Sequence, residues 1–292
     1  MAEATEVLAI PRPAVRRLPW QRWLGITLNY ALLTLAAAVV LLPLYLAVVD
    51  SLLPREKLIT YPPKLFVSDP QWHTYKSAMD VVPLGRYMFN SFLVSVIIMV
   101  GQLVTSCLAA YAFTFLRFPF RNALFLLVLS TLMVPWEVSI IPNFQTIQTL
   151  GWLDSYQALT VPFLATAFGT FLLRQYFMTI PGELRDAAAI DGYGHLRFLL
   201  YVVVPLSKPI LGAVAVFAFL QAWNQYLWPL LVTNTDEYRT VQIGLAALAS
   251  QEVDKINIVM AGTVIAAIPM FILLVIFQRQ LVRGLTAGAV TG

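Results

Sequence analysis

Residues 181–195 read PGELRDAAAIDGYGH, a polar stretch that stands between long apolar runs. Pro181 is unfavourable inside a helix and is expected to end the preceding one. Glu183 and Asp186 would then fall in a first helical turn, where acidic side chains complement the positive end of the helix dipole. Three alanines follow, and Gly192 stands where a helix ends in the left-handed conformation. The sequence therefore predicts a short, slim helix that ends at Gly192.

A second helix is predicted over residues 195–204, after which Pro205 leads the chain back into the next apolar run. The two helices would form a protruding helix-turn-helix whose alanine face, at Ala187 and Ala188, has little bulk. Such a shape is suited to entering a groove on a partner protein. An ordinary amphipathic loop is the alternative interpretation.

The composition of the chain is that of a membrane protein. Of its 292 residues 59% are apolar and 12% are charged, about half the charged fraction of a soluble domain. The mean hydropathy is +0.76. These values exclude a soluble enzyme, a disordered chain and a disulfide scaffold. The single cysteine, Cys107, has no partner for an intramolecular disulfide and is expected to pack within an apolar run.

Six apolar runs are long enough to cross a bilayer, which takes about 20 residues. Five of them contain no acidic or basic residue, and the other contains only Glu137. We therefore predict an all-α polytopic membrane protein with six transmembrane helices, at 23–49, 87–116, 122–153, 155–173, 209–235 and 256–278. The first run is too long for the apolar core of a cleaved signal peptide.

The distribution of charge predicts the orientation. With both termini in the cytoplasm, the inner segments hold 12 basic and 5 acidic residues, a balance of +7, and the outer segments hold 7 basic and 10 acidic residues, a balance of −3. Lys and Arg concentrate in cytoplasmic loops. We therefore expect a multi-pass protein of the cytoplasmic (inner) membrane. It would have a cytoplasmic N-terminal segment at 1–22 and a six-helix transmembrane domain at 23–292, with the polar loop at about 177–208 on the cytoplasmic side.

Several kinds of chemistry are absent from the sequence. No phosphate-binding loop of the form G-x-x-x-x-G-K-[ST] occurs, so the chain does not bind a nucleotide by that route. The two histidines, His73 and His195, are predicted on opposite sides of the membrane, which argues against a metal site or a histidine-based catalytic dyad. Glu137 lies near the outer end of its run. It is interpreted either as an interfacial, solvated carboxylate or as part of a substrate path.

The fifth apolar run carries amides and indoles at spacings of three and four, which place them on one helix face. They are Gln221, Asn224, Gln225 and Trp228, with Trp223 beside them. Such side chains suit hydrogen bonding to hydroxyls and stacking on a sugar or glycerol backbone, so they are candidates for a translocation path. The alternative is that the amides hold neighbouring membrane helices together. No Lys or Arg lies mid-membrane to attract a phosphate.

The polar loop resembles the EAA loop of the membrane subunits of ATP-binding-cassette (ABC) importers, whose family form is E-A-A-x-x-D-G followed by an aliphatic stretch and a proline. The matching residues are Asp186, Ala187 and Ala188, then Asp191 and Gly192, and finally Pro205. The resemblance implies a type I ABC importer permease fold, in which this loop, with Glu183 at its start, couples the membrane helices to an ATPase. Asp186 is one methylene shorter than the usual Glu, and Tyr193 stands where the family often has Ala.

The resemblance extends from about Leu24 to the C-terminus and is strongest to sugar (maltose-type) permeases. Four further segments, 131–138, 153–156, 177–181 and 223–231, are similar to the second permease subunits of glycerol-3-phosphate (Ugp-type) importers. This similarity implies uptake of glycerol-3-phosphate or of a related glycerophosphodiester such as glycerophosphocholine. A disaccharide importer, for trehalose or a maltose-like sugar, is the alternative.

A permease of this kind is not an enzyme, and it binds no cofactor or metal itself. The resemblance implies a homologous sister permease, two ATP-binding-cassette ATPase subunits that bind ATP and Mg²⁺, and an extracytoplasmic substrate-binding protein. Its environment is the lipid bilayer, and no nucleic acid is implied. The rival from another class is a self-sufficient secondary transporter or channel. It would need intramembrane ionisable groups, which the predicted spans do not supply.

Overall fold

The computed structural model describes residues 19–58, 60–252 and 255–286, with side chains between 23 and 279. The predicted N-terminal segment at 1–22 therefore lies almost wholly outside the described residues, as does Gly292. Within the described ranges every regular element is helical. The α-helices are α1 Pro19–Leu52, α2 Arg55–Leu58, α3 His73–Val81, α4 Leu84–Phe115, α5 Arg121–Ser130, α6 Trp136–Thr149, α7 Tyr156–Thr160, α8 Ala167–Phe177, α9 Gly182–Ile190, α10 His195–Phe198, α11 Val204–Leu206, α12 Lys208–Trp223, α13 Leu227–Val232, α14 Val241–Gln251 and α15 Ile256–Thr286. Two 3₁₀ turns, Thr131–Met133 and Val161–Phe163, and a π turn, Leu199–Val203, join some of them.

The helices confirm the predicted all-α membrane fold. Three stretches are long and apolar enough to cross a membrane singly: Trp23–Leu52, Leu84–Phe115 and Ile256–Arg279. Three further candidate spans are bent pairs of helices. They are Arg121–Met133 with Trp136–Thr149, bent by 96°, Tyr156–Phe163 with Ala167–Phe177, bent by 43°, and His195–Leu206 with Lys208–Trp223, bent by 83°. Counting each pair as one span gives up to six, the predicted number, but the last pair covers 195–223 rather than the predicted 209–235.

The chain divides into two compact units, Met1–Ala47 and Val48–Gly292. The described part of the first unit is the helix α1 up to Ala47, with Pro43 inside it. Membrane helices tolerate such a proline because local adjustments satisfy the freed carbonyl. In the second unit α4 packs against α8 and α12, and α12 also packs against α15. These helices enclose three clusters of buried apolar side chains.

Small residues allow α4 and α8 to lie close together. A Cβ atom at Gly169 of α8 would come 2.6 Å from Ser106 Oγ of α4. Membrane helices pack through such small residues because lipid tails provide no hydrophobic drive for helices to associate. Any larger side chain at Gly169 would separate the two helices.

Prolines lie beside all three bends, and Pro162 is in the 3₁₀ turn before the bend of 43°. Val134 precedes Pro135 and has the extended conformation that a residue before a proline prefers. The helix α6 begins at Trp136, directly after Pro135. Pro205 and Pro209 lie on either side of the bend at Ser207, where α11 ends and α12 begins. The predicted fifth span at 209–235 is not one helix, because α12 stops at Trp223.

Candidate functional site

The predicted loop helix is present as α9, and its two ends are built as expected. Pro181 occupies the N-cap position, and Gly192 follows the last turn with φ +77°. Gly192 N–H donates to Ala189 O at 3.1 Å, and Tyr193 N–H donates to Ala188 O at 2.8 Å. These two bonds satisfy the last helical carbonyls in a Schellman motif, which needs a left-handed residue at Gly192. The prediction of a helix that ends at this glycine is confirmed.

The prediction that Ala187 and Ala188 form one slim outward face is wrong. Ala188 is only 6% exposed and belongs to a buried cluster with Phe177 and Phe198. Helical periodicity places Glu183, Asp186, Ala187 and Ile190 on the opposite, exposed side, and Ile190 is 87% exposed. The free face of α9 therefore combines two acidic side chains with a small and a large apolar one.

The second part of the loop is helical from His195 to Leu206, through α10, the π turn and α11, so it is longer and less regular than predicted. Two hydrogen bonds tie it to the membrane helices. Tyr111 Oη of α4 lies 3.0 Å from His195 Nδ1, and Tyr176 Oη of α8 donates to Leu206 O at 2.9 Å. Pro205 lies inside α11, two residues before the bend at Ser207. Motion of the loop is therefore linked to α4 and α8.

A cavity of about 830 Å³ lies between the starts of α6 and α8 and the break between α12 and α13. Among the predicted path residues Gln221, Gln225 and Trp228 line it. The premise that all four amides and indoles share one helix face is wrong, because the chain leaves the helix at 224–226 and restarts at Leu227. The cavity wall is built by this break rather than by a continuous helix.

Three other predicted path residues lie outside the cavity wall. Trp223 is 1% exposed and stacks on Phe219 with 5.7 Å between ring centroids. Asn224 donates from Nδ2 to Leu220 O at 2.8 Å and accepts from Gln242 Nε2 at 3.4 Å. Glu137 is exposed in the first turn of α6, where a carboxylate complements the helix dipole. These contacts give Trp223 and Asn224 packing and bridging roles in the described structure.

Aromatic side chains form one side of the cavity. The Trp136 ring lies 4.7 Å from that of Phe163 and 5.7 Å, edge to face, from that of Trp228. Trp228 Nε1 donates to Ala158 O at 2.9 Å, which fixes its indole. Trp136 comes from a different span, so its place here could not be inferred from local spacing.

Amide side chains also line the cavity. Gln102 of α4, which the sequence analysis missed, donates from Nε2 to Phe163 O at 2.9 Å. The sequence does contain a sign of this role, because an amide in the middle of a charge-free span is unusual. Gln225 Oε1 is buried and has no hydrogen-bond partner among the described residues. No acidic, basic or histidine side chain lines the cavity within the described ranges.

Two helix N-termini begin at the cavity wall. Trp136 starts α6 and Ala167 starts α8, and neither helix has a side-chain cap. The first amides of a helix have no intrahelical acceptor, and the macrodipole adds a partial positive charge there. The cavity is therefore free of charged side chains, yet it receives electropositive backbone from two broken spans.

At the end of the unit remote from α9, hydrogen bonds hold residues 233–240 in place. Asn90 Nδ2 donates to Glu237 O at 2.8 Å and to Arg239 O at 2.9 Å, and Asn90 Oδ1 accepts from Tyr156 Oη at 2.9 Å. Asp154 accepts from the backbone N–H groups of Asn234 and Thr235 at 2.5 and 2.9 Å. Desolvation acts to raise the pKa of Asp154, but these hydrogen bonds outweigh it and lower the pKa below the ordinary value of 3.8.

Membrane-spanning helices around an uncharged cavity, with a capped helix protruding from one end, define a membrane transport component. A family model described as "Binding-protein-dependent transport system inner membrane component" matches residues 102–287. The chain belongs to this family, and it is a membrane permease of such a transport system.

Curated relatives cover nearly the whole chain. Three that bear the name sn-glycerol-3-phosphate transport system permease protein UgpE come from Yersinia enterocolitica, Brucella abortus and Agrobacterium fabrum. The first is 40% identical over 264 residues, which is 88% of this chain and 94% of the relative. The second is 38% identical over 274 residues, 91% and 97%. The third is 40% identical over 265 residues, 88% and 94%.

Solved structures share the fold. One is a bacterial ABC transporter involved in the import of the acidic polysaccharide alginate, with a TM-score of 0.78 and 23% identity, covering 91% of this chain and 99% of that one. Another is the alginate transporter in complex with an alginate pentasaccharide-bound periplasmic protein, with a TM-score of 0.61 and 13% identity, covering 89% and 95%. The predicted type I importer permease fold is confirmed.

Proposed function

We propose that the chain is the permease subunit of an ATP-driven importer for glycerol-3-phosphate or a related glycerophosphodiester such as glycerophosphocholine. The observation that carries the proposal is the set of relatives named for glycerol-3-phosphate transport, which match about nine-tenths of the chain. The cavity is compatible with this substrate class. Its amides suit the glycerol hydroxyls, and the starts of α6 and α8 offer an anion backbone amides without a cationic side chain.

The proposal includes the partners that such a permease needs. They are a sister permease, two ATPase subunits that bind ATP and Mg²⁺, and an extracytoplasmic binding protein, while this chain binds no cofactor and catalyses no reaction. The free face of α9, with Glu183, Asp186, Ala187 and Ile190, is the surface offered to an ATPase. The hydrogen bonds of His195 and Leu206 would pass its movement to α4 and α8.

A disaccharide importer is the second candidate, and one observation favours it. The cavity has no cationic side chain within the described ranges, so no ionic contact in its lining would select a phosphate ester over a neutral sugar. Uptake of labelled glycerol-3-phosphate, glycerophosphocholine and trehalose by a host that lacks its own importers separates the candidates. Uptake of trehalose without uptake of either glycerol compound would contradict the proposed substrate class and favour the disaccharide importer.

Replacing Gln225 with leucine should lower uptake about two- to tenfold, because one hydrogen bond contributes about 0.5–1.5 kcal/mol. Leucine keeps the size of the side chain but removes the amide whose oxygen is buried in the cavity wall. Asn224→Leu is the matched control, since Asn224 does not line the cavity. Initial uptake rates and the amount of assembled complex are measured together. If Gln225→Leu assembles poorly but each assembled complex transports at the wild-type rate, the amide holds helices together. That result would contradict its place on the path.

The orientation is proposed from the charge balance, and reporter fusions test it. Positions near Phe118 and after Gly292 should both be cytoplasmic, because the inner segments carry a net +7. Alkaline phosphatase placed at either position should therefore be inactive. An alkaline phosphatase signal from either position would contradict the cytoplasmic placement of α9. Insertion near Thr60 in the opposite loop is the positive control for the outer side.

A further inference from the structure

A cationic groove lies at the end of α4, beside the turn that leads into α5. Its volume is about 430 Å³, and its lining includes Arg117, Phe118, Phe120, Arg121 and Asn122. In the described part of the chain no acidic side chain lines it. Arg117 and Phe118 also line a neighbouring cleft of about 700 Å³ that includes Arg185 and Asp186 of α9, whereas Arg121 lines the groove alone.

The turn is held in a defined shape. Arg121 Nη1 donates to Leu116 O at 3.2 Å, which caps the end of α4. The Phe118 ring packs 6.0 Å from that of Phe113, and Leu124 N–H donates to Phe120 O at 2.9 Å. Phe120 takes a positive φ of 59°, which is uncommon for a residue that is not glycine. The groove is therefore formed before any ligand arrives.

The two arginines differ in how many hydrogen-bond donors they have left for a ligand. Arg117 is exposed and makes no hydrogen bond or ion pair within the described structure. Arg121 uses Nη1 for the carbonyl groups at the end of α4, and its other donors have no hydrogen-bond partner among the described residues. Two guanidinium groups beside one groove favour an anion, because guanidinium matches the geometry of phosphate oxygens.

The position of the groove at the membrane surface favours a lipid phosphate as the anion. The 32 residues of α4 extend about 48 Å at 1.5 Å per residue, against about 40–45 Å for a bilayer with its headgroups. A helix of this length crosses the whole bilayer, so the turn after α4 lies at or just beyond the membrane surface. Phe120 is 81% exposed there, and Leu126 and Leu127 of α5 are 65% and 64% exposed. A phosphate held by the arginines would have apolar surface beside it for its acyl chains.

We propose that this groove binds the phosphate of an anionic phospholipid, with its acyl chains along α5. The phosphodiester of one lipid would lie between Arg117 and Arg121. Its acyl chains would cover the exposed Phe120 and the leucines of α5. Each basic residue near an anionic membrane surface contributes about 1 kcal/mol. Removing one arginine should therefore weaken the preference for an anionic lipid about fivefold.

Native mass spectrometry of the full-length chain, with phosphatidylglycerol or phosphatidylcholine added to the micelles, tests the proposal. The wild type should retain phosphatidylglycerol preferentially, and Arg117→Gln should reduce that preference about fivefold. Arg117→Lys should keep most of it, and Arg197→Gln, which removes an exposed charge outside the groove, should leave it unchanged. Thermal unfolding of each variant checks that the fold is intact.

Three outcomes would overturn the lipid site. Equal retention of both lipids by the wild type would remove the charge selectivity. Displacement of phosphatidylglycerol by a large excess of inorganic phosphate would assign the groove to a soluble anion. Loss of lipid when the partner subunits are co-purified would assign it to a protein contact.

Discussion

Replacing Gly192 with valine should abolish coupled transport while leaving the membrane helices assembled. Gly192 has φ +77° and closes the Schellman motif at the end of α9. A residue with a side chain in this conformation is strained by about 1–2 kcal/mol, and a β-branched one is worse. That strain lowers the population of the correctly capped loop about 5- to 30-fold. Substrate uptake and substrate-stimulated ATP hydrolysis by the purified complex are the measurements.

Gly194 supplies the matched control for Gly192. A Cβ at either position meets nothing within 4 Å, so neither substitution clashes with a neighbour. Gly194, however, has φ −76°, which any residue adopts, and Gly194→Val should transport normally. Wild-type uptake and wild-type ATPase stimulation in Gly192→Val would show that the cap is not needed for coupling.

Arginine at Ala188 and arginine at Ala187 should both stop transport, but for different reasons. Ala188 is buried beside Phe177 and Phe198, so Ala188→Arg overpacks the cluster and costs about 1–3 kcal/mol or more. The loop should then detach and become sensitive to protease. Ala187 is exposed, so Ala187→Arg should leave the loop folded and protease-resistant while adding bulk on the free face of α9.

Limited proteolysis and co-purification of the ATPase separate the two mechanisms. We expect Ala187→Arg to keep the wild-type cleavage pattern and to lose the ATPase. Ala187→Ser, a small polar substitution on the same face, should retain it. An Ala187→Arg variant that still binds the ATPase and transports would exclude the free face of α9 from the contact.

Much of the fold was predictable because its determinants are local. Charge-free runs give the spans since a charge in the hydrocarbon core is costly, and the ends of α9 follow from Pro181 and Gly192 alone. The buried face of α9 was not predictable in this way. Ala187 and Ala188 have identical side chains, so only the tertiary position of Phe177 and Phe198 decides which of them is covered.

The cavity shows the same limit. Gln221, Gln225 and Trp228 were predicted for the path on the premise of a continuous helix, and they do line one cavity although the helix breaks between them. The break at 224–226 contains no proline or glycine itself, and its signal is Pro229, which cannot donate to the carbonyl of Gln225 four residues earlier. Gln102 and Trp136 reach the cavity from other spans, which no local spacing can reveal.

The side-chain bridges of Asn90 have a mechanical consequence. Asn90 is fully buried and joins the carbonyl groups of Glu237 and Arg239 to the hydroxyl of Tyr156, so three separate segments meet at one amide. Pulling them apart would strand buried polar groups at about 1–3 kcal/mol each. At the kink near Ser207 the backbone is less fully hydrogen-bonded, because Pro205 and Pro209 have no amide donors. The unit that begins at Val48 is thus held firmly around Asn90, and a swing driven from α9 would bend the chain near Ser207 while the Asn90 end stays in place.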